Sequence, residues 1–215
     1  MYEFISGPLV WISFIVFIGG SLLRLTWMLR LTKKDKVLFP YLSLKYGLRS
    51  LVPWIIPFAS INMRKRPVLT TISFVFHLCL ITTPLFLLSH NLLWHQSWNI
   101  RWWSLPGVVA DSMTVIVIGS GIFFLLRRLV IPEVQFLTLA SDYVLLAIGV
   151  LPFLTGFLTY HQWLPYKPML IAHILSGEIM LITIPFTRLS HMLFFFVPRV
   201  YMGSEFDAAR DSIKG

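Results

Sequence analysis

Residues 168–198 read PMLIAHILSGEIMLITIPFTRLSHMLFFFVP, a long apolar run that contains two histidines, His173 and His191. The two histidines are eighteen residues apart. On a continuous helix of about 3.6 residues per turn this spacing is five turns, so both would face the same way. At about 1.5 Å of rise per residue they would lie roughly 27 Å apart, close to the thickness of a bilayer's hydrocarbon core. The run therefore predicts a membrane-spanning helix with one histidine near each membrane surface.

The composition of the whole chain indicates an integral membrane protein. Hydrophobic residues make up 57% of the 215 residues and charged residues only 13%, and the mean hydropathy is +0.78. A soluble domain of this size could not bury so much apolar surface. The single cysteine, Cys79, excludes an internal disulfide, a CxxCH attachment site for c-type haem and an iron–sulfur cluster held by this chain alone. The residues before the first apolar run include Glu3 and no basic segment. We therefore expect that run to be a retained span and not a signal peptide.

Five apolar segments predict an all-α bundle of five transmembrane helices that forms one membrane domain over residues 1–215. Their predicted bounds are residues 9–29, 68–94, 107–126, 136–160 and 169–197. A further segment, residues 41–60, mixes aromatic and basic residues and is interrupted by Pro53 and Pro57. We interpret it as an interfacial segment that lies on the membrane.

The distribution of basic residues predicts the orientation of this bundle. Of the 18 lysines and arginines, all except Arg101 and Lys167 lie in or beside the connections on one side of the five spans. The positive-inside rule then places the N-terminus outside and the C-terminus inside. The net charge of +9 is thus explained by topology, and it gives no reason to expect a nucleic-acid partner.

Four histidines within the spans form two pairs at matching depths in this topology. The second span carries His77 toward the inner face and His90 toward the outer face, and the fifth carries His173 outside and His191 inside. Bis-histidine ligation of a b-type haem needs two neutral imidazoles supplied by facing helices of a bundle. The sequence therefore predicts two haems, an inner one between His77 and His191 and an outer one between His90 and His173.

The outer ligand on the second span has an alternative. His77 and His90 are thirteen residues apart, which is about 20 Å of rise and leaves them about 140° apart around an ideal helix. His95 would share the face of His77, but it follows Trp94 at or beyond the membrane interface. Pro84 lies between His77 and His90 and can bend the helix. We favour His90 and keep His95 as the alternative.

Other readings of these polar residues stay open at this point. The histidines could be hydrogen-bonding groups of a haem-free membrane anchor, or relays of a proton-coupled transporter. Arg188 lies one turn before His191 and could pair with a propionate of the inner haem, or it could be a positive-inside anchor. Glu178, inside the fifth span, is the candidate for a proton path.

Four segments of the chain resemble a known family. The most specific is AHILSGEIMLITIPFTRLSH, residues 172–191, which matches a pattern of a histidine, an apolar helix and a Pro-Phe-Ser/Thr-Arg/Lys-Leu-x-His ending. The others are FHLCLITTPLFLLSHN (76–91), RRLVIPEVQFLTLASDYVLLAIG (127–149) and GSLLRLTW (20–27). On these segments the chain resembles the cytochrome b family typified by the respiratory nitrate reductase gamma subunit. Relatives of that family serve as membrane cytochromes of the Hmc, Tmc and Dsr complexes of sulfate-reducing prokaryotes.

The resemblance implies a function and a set of partners. It implies that His77, His90, His173 and His191 bind two b haems, although the spacing from His77 to His90 is longer than in the nitrate reductase members. It also implies an electron-transfer subunit of a quinone-linked oxidoreductase in the inner (cytoplasmic) membrane. The implied partners are menaquinone, other membrane subunits and a cytoplasmic iron–sulfur subunit. In the sulfate-reducer complexes a periplasmic multihaem cytochrome c is a further implied partner. We expect the polar tail, residues 201–215, to contact a partner on the inner face. Outer loop residues that could donate a hydrogen bond to a quinone oxygen are His95, Gln96, Tyr160, His161, Gln162 and Lys167.

Overall fold

A computed structural model describes residues 2–34 and 44–200 of the chain. All regular elements among these residues are helical, and five of the helices are long and apolar enough to cross a membrane. These first to fifth spanning helices are Tyr2–Leu31, Pro67–Phe86, Gly107–Val130, Ala140–His161 and Tyr166–Phe186. The structure confirms the predicted all-α class and the five spans, and the chain is a multi-pass membrane protein. The predicted tail contact, in residues 201–215, lies outside the described residues.

The surfaces of the spanning helices are apolar on several sides. Large side chains such as Leu23, Leu78 and Val108 expose 71%, 64% and 80% of their area. A helix that is apolar all round must be buried or surrounded by lipid, because water would solvate such a surface poorly. These exposed faces are therefore the ones that we expect acyl chains to cover.

The chain divides into two compact units, which we take in turn. The first contains the described residues of Met1–Ser6 and Thr71–Met180, and the second those of Gly7–Thr70 and Leu181–Gly215. The core of the first unit is a cluster of buried side chains from the second, third and fourth spanning helices: Phe76, Cys79, Val117 and Phe153. The third and fourth helices pack most closely where Gly121 faces Val150, since a Cβ on Gly121 would lie 2.6 Å from Val150 Cγ2.

The second unit is organised around the first spanning helix. A Cβ on Gly20 would lie 2.9 Å from atoms of both Pro185 and Phe186, so the glycine permits this close approach. The segment predicted to lie on the membrane contains a twelve-residue helix, Leu44–Ile55, which is too short to span a bilayer. The guanidinium carbon of Arg199 lies 3.6 Å from the ring centroid of Trp54 in this helix, a cation–π contact.

The second spanning helix is interrupted where Pro84 predicts a bend. The regular helix ends at Phe86, Leu87 has an extended backbone (φ −69°, ψ 131°), and a separate helix runs from Leu88 to Trp98. The predicted single span over residues 68–94 is therefore two helical segments that meet at Leu87. His77 belongs to the first segment, and His90 and His95 to the second.

The fifth span also differs from the single helix expected over residues 169–197. Its regular α-helix ends at Thr183, and Pro185, which has no N–H and cannot continue the ladder of hydrogen bonds, follows. Thr187 is extended (φ −121°, ψ −174°), and its hydroxyl accepts a hydrogen bond from the Leu189 N–H. The chain continues as two 3₁₀ turns and a short helix, Ile184–Phe186, Arg188–Ser190 and His191–Phe194. His173 and His191 would share one helical face only on an unbroken helix. The structure corrects this prediction, because the helix is interrupted between the two residues.

Candidate functional site

The break in the second span orients His90. Three consecutive carbonyls before the break, those of residues 84–86, accept hydrogen bonds from groups outside the helix. His90 Nδ1 bonds to the Pro84 carbonyl at 2.9 Å, and Trp102 Nε1 donates to the Leu85 carbonyl at 2.8 Å. The Leu105 N–H donates to the Phe86 carbonyl at 2.8 Å. The carbonyls released at the end of a helix thus satisfy the histidine ring and the following loop.

Asn91 holds that loop against the helix that carries His90. Its side chain is 2% exposed. The amide nitrogen donates to the Trp102 carbonyl and, at 2.8 Å, to Ser104 Oγ, while the amide oxygen accepts from the Trp102 N–H at 3.3 Å. A buried amide with donors and acceptor all paired specifies one position of the loop.

His173 is held by the fourth spanning helix. Its Nδ1 lies 2.9 Å from the Pro152 carbonyl oxygen. The ring also lies against Gly156, where a Cβ would be 3.0 Å from both Cε1 and Nδ1 of the imidazole. A glycine at residue 156 is therefore what allows the ring to approach the helix backbone so closely.

The structure brings His90 and His173 together. Their ring centroids are 6.0 Å apart, and the ring planes are inclined by only 17°. Rings stacked in direct contact would be separated by about 3.5–4 Å. A metal ion bound between two imidazole nitrogens, with bonds of about 2 Å, holds the ring centroids roughly 6 Å apart. The separation of these two rings therefore matches a pair of ligands to one metal.

The hydrogen bonds of the two rings also fix which nitrogen can bind a metal. A carbonyl oxygen can only accept, so Nδ1 of each ring carries the proton, and in the neutral ring Nε2 carries the lone pair. A metal-ligating histidine commonly donates its other N–H to such a group, which fixes the tautomer and the orientation of the ring. Both histidines are thus prepared to ligate through Nε2.

The donor set favours haem over a bare metal ion. Within residues 2–34 and 44–200, no group of three or more His, Cys, Asp and Glu side chains is arranged to hold a metal. An ion placed between His90 and His173 would have to bring its other ligands with it. Haem iron does so, because the porphyrin supplies the equatorial nitrogens and leaves two axial positions for the protein. Two imidazoles are the donors that such a group needs from the protein.

His77 and His191, the predicted inner pair, belong to different units of the chain. His77 lies on the second spanning helix, with Nδ1 2.7 Å from the Ser73 carbonyl oxygen. His191 begins the short helix after the 3₁₀ turns, with Nδ1 2.7 Å from the Arg188 carbonyl oxygen. Each ring therefore has the tautomer seen in His90 and His173. Their pairing stays a prediction.

His95, the alternative outer ligand, is exposed and lies near the end of the helix Leu88–Trp98. The ring that faces His173 is that of His90. His95 contributes its carbonyl, which accepts from the Asn99 N–H at 2.9 Å.

Arg188, the predicted propionate partner, and Arg24 have different settings. Arg188 is exposed on the second 3₁₀ turn. Arg24, on the first spanning helix, donates from Nη1 to the carbonyls of Pro185 and Thr187 at 2.7 and 3.2 Å. Arg24 therefore satisfies backbone groups at the break in the fifth span, a role that sequence reasoning did not predict.

A second histidine contact joins the third and fourth spanning helices. His161 Nε2 lies 2.9 Å from Asp111 Oδ1, and the imidazole is flanked by the rings of Phe157, Tyr160 and Trp163 at centroid distances of 4.4, 5.1 and 5.5 Å. Sequence reasoning noted His161 only as a loop residue and did not pair it with Asp111. No sequence signal links the two residues, because they are fifty positions apart.

The carboxyl group of Glu178 is the remaining ionisable group of note inside a span. The residue is 4% exposed, and neither carboxyl oxygen has a hydrogen-bond partner among the described residues. Such a group is expensive in a membrane, which marks it as a functional candidate.

Comparison with known proteins gives a match over almost the whole chain. No family model matches the chain. A protein of Nitratidesulfovibrio vulgaris strain Hildenborough, whose name, "Protein", states no activity, is 37% identical over 215 residues. The alignment covers 98% of this chain and 95% of the relative, so the similarity extends over all five spanning helices.

Proposed function

We propose that this chain, which belongs to the same family as the Nitratidesulfovibrio vulgaris protein, is a dihaem cytochrome b subunit of a respiratory membrane complex. The observation that carries the proposal is the His90–His173 pair, with ring centroids 6.0 Å apart and nearly parallel planes. Two helices that are distant in sequence each supply one imidazole of the same tautomer. This is the arrangement that axial ligation of a b haem requires.

The residues of the chain would hold and orient the cofactor. When bound, the haem supplies one-electron redox chemistry. His90 and His173 would hold the haem iron through Nε2, while their Nδ1–H groups donate to the carbonyls of Pro84 and Pro152. A neutral carbonyl orients the ring and makes it a less basic ligand than a carboxylate partner would. Gly156 provides the space that the His173 ring needs.

The support for the second haem is the family resemblance together with the hydrogen bonds of the two inner histidines. His77 and His191 match the histidine positions of the nitrate reductase gamma subunit family, which the chain resembles, and both rings are anchored at Nδ1 as in the outer pair. We assign the inner haem to these two residues and place Arg188 near one of its propionates. Two haems at different depths would carry electrons across the bilayer.

The proposed setting follows from the same resemblance and from the distribution of charge. We place the protein in the inner membrane with its N-terminus outside and its C-terminus inside. Its partners would be the menaquinone pool, other membrane subunits and a cytoplasmic iron–sulfur subunit, with a periplasmic multihaem cytochrome c as a further electron partner.

Haem stoichiometry tests the proposal. The chain is purified from native membranes and haem per chain is measured by the pyridine haemochrome method, with an expected value of about two b haems. His90→Ala and His173→Ala should each remove one haem, whereas His95→Ala, on the same short helix as His90, should retain both.

Each alternative result has a defined meaning. Loss of a haem in His95→Ala with none lost in His90→Ala would move the outer ligand to His95. A chain without haem would overturn the proposal. It would leave a haem-free anchor or a proton-coupled transporter, and the buried Glu178 would favour the transporter.

A further inference from the structure

Glu178 combines a membrane position with complete burial and unpaired oxygens. It lies on the fifth spanning helix, is 4% exposed, and neither Oε1 nor Oε2 has a hydrogen-bond partner among the described residues. Among the residues that the structure describes, the carboxyl forms no ion pair and accepts no hydrogen bond. Nothing in the described part of the chain therefore compensates a negative charge at this position.

An uncompensated carboxylate in such surroundings is far more costly than the neutral acid. The same argument favours the neutral acid at Glu178. The O–H of that acid is still a buried polar group without an acceptor, which costs stability that an apolar residue would not cost. This cost marks Glu178 as a functional candidate.

The histidine pair that holds the redox centre in the proposed function includes a residue of the same helix. Glu178 follows His173 by five residues, which is about 7.5 Å of rise along the helix axis and about 140° around it, so the two side chains are separated by more than the rise alone. At such a distance, in surroundings of low dielectric constant, adding or removing one charge at the histidine pair changes the electrostatic potential at the carboxyl strongly. An oxidised, more positive centre favours the carboxylate, and a reduced centre favours the acid.

We propose that Glu178 is a proton-exchange site coupled to the redox state of the centre held by His90 and His173. This inference rests on the proposed function. The Glu178 carboxylate would take up one proton from the aqueous phase when a reductant of the quinol class delivers one electron to that centre. Its O–H bond would break, and the proton would return to water, when the electron is passed on.

The first test uses N,N′-dicyclohexylcarbodiimide, which reacts with protonated carboxyl groups in apolar surroundings. The full chain in lipid nanodiscs is labelled with the centre oxidised and with it reduced by dithionite, and the modified residue is identified by mass spectrometry. We expect the label on Glu178, at several-fold higher yield in the reduced sample. Glu133 is exposed on the helix Pro132–Leu137 and serves as the internal control that stays unlabelled.

The second test is potentiometric. A one-electron centre linked to one proton changes its midpoint potential by up to about 59 mV for each tenfold change in proton concentration. The wild-type potential should fall as the pH rises. Glu178→Gln, which keeps the size of the side chain, should lower this slope, and Glu133→Gln should leave it unchanged.

The two tests separate failure of this inference from failure of the proposed function. A chain that contains haem but shows no label on Glu178, or equal labelling in both redox states, overturns the inference and leaves the cytochrome proposal intact. An unchanged slope in Glu178→Gln does the same. A chain without haem overturns the redox link together with the proposed function. If Glu178→Gln does not fold, the comparison of oxidised and reduced wild-type protein still decides the matter.

Discussion

Replacing Gly156 by alanine should displace the His173 ring. The new Cβ would lie 3.0 Å from Cε1 and Nδ1 of the imidazole, whereas carbon atoms in ordinary contact are about 3.5–4 Å apart. The ring would have to retreat by roughly 0.5–1 Å. Its Nδ1 bond to the Pro152 carbonyl is already 2.9 Å long, so such a movement would stretch it beyond the usual range.

Three free-energy contributions decide how Gly156→Ala affects stability. An alanine in a helix interior is favoured over glycine by about 1 kcal/mol. Overpacking costs about 1–3 kcal/mol, and loss of the hydrogen bond costs about 0.5–1.5 kcal/mol. Gly156→Ala should therefore destabilise the chain or move the ring. An alanine at a glycine with open space should be neutral or stabilising.

Gly149 supplies that matched control. It lies on the same helix, seven residues earlier and so on nearly the same face, and no atom lies within 4 Å of the Cβ position. We expect Gly156→Ala to lose one of the two haems in the pyridine haemochrome assay and to unfold at a lower temperature. Gly149→Ala should retain both haems. Full haem content and an unchanged spectrum in Gly156→Ala would refute this account of how His173 is positioned.

Two further substitutions test the groups that hold the helix breaks. Asn91→Ala leaves the Trp102 backbone groups without their partner and should destabilise the chain by about 2–3 kcal/mol. The measurement is thermal unfolding in detergent, with the exposed Asn62→Ala as the control. Equal unfolding temperatures would contradict the proposed role of Asn91 in holding the loop. Arg24→Met removes donors to two carbonyls at the break in the fifth span and should speed amide hydrogen exchange in residues 184–191. Arg30→Met should leave this exchange unchanged. Unchanged exchange in Arg24→Met would show that the 3₁₀ turns are stable without Arg24.

Composition and local chemistry allowed much of the fold to be predicted. Long apolar segments gave the five spans because a bilayer requires about 20 apolar residues per helix. Pro84 predicted the bend that separates His77 from His90, because a proline removes a hydrogen bond of the helix and clashes with the preceding turn. The structure places the interruption at Leu87, three residues after the proline.

The same chemistry did not settle the fifth span. Proline is tolerated inside transmembrane helices when other groups satisfy the released carbonyls, so Pro185 alone does not decide between a bend and an end. The deciding group is Arg24, whose donors come from a helix more than 160 residues earlier. A sequence read locally cannot show such a partner.

The pairing at the candidate site was predictable only in outline. Matching depth in the topology joined His90 to His173, and the structure brings these rings together. The groups that set the exact positions of the rings, Gly156 and Asn91, carry no motif. Their importance arises from packing and hydrogen bonds between segments that are distant in sequence.

The hydrogen bonds of the histidines separate ligand candidates from a structural histidine. His77, His90, His173 and His191 each engage a backbone carbonyl through Nδ1. A carbonyl can only accept a hydrogen bond, so it places the proton of the neutral ring on Nδ1 and the lone pair on Nε2. His161, by contrast, engages a carboxylate through Nε2. For His90 the carbonyl comes from a helix break, because the interrupted helix ends with carbonyls that no N–H of its own can satisfy, and the Pro84 carbonyl is one of them.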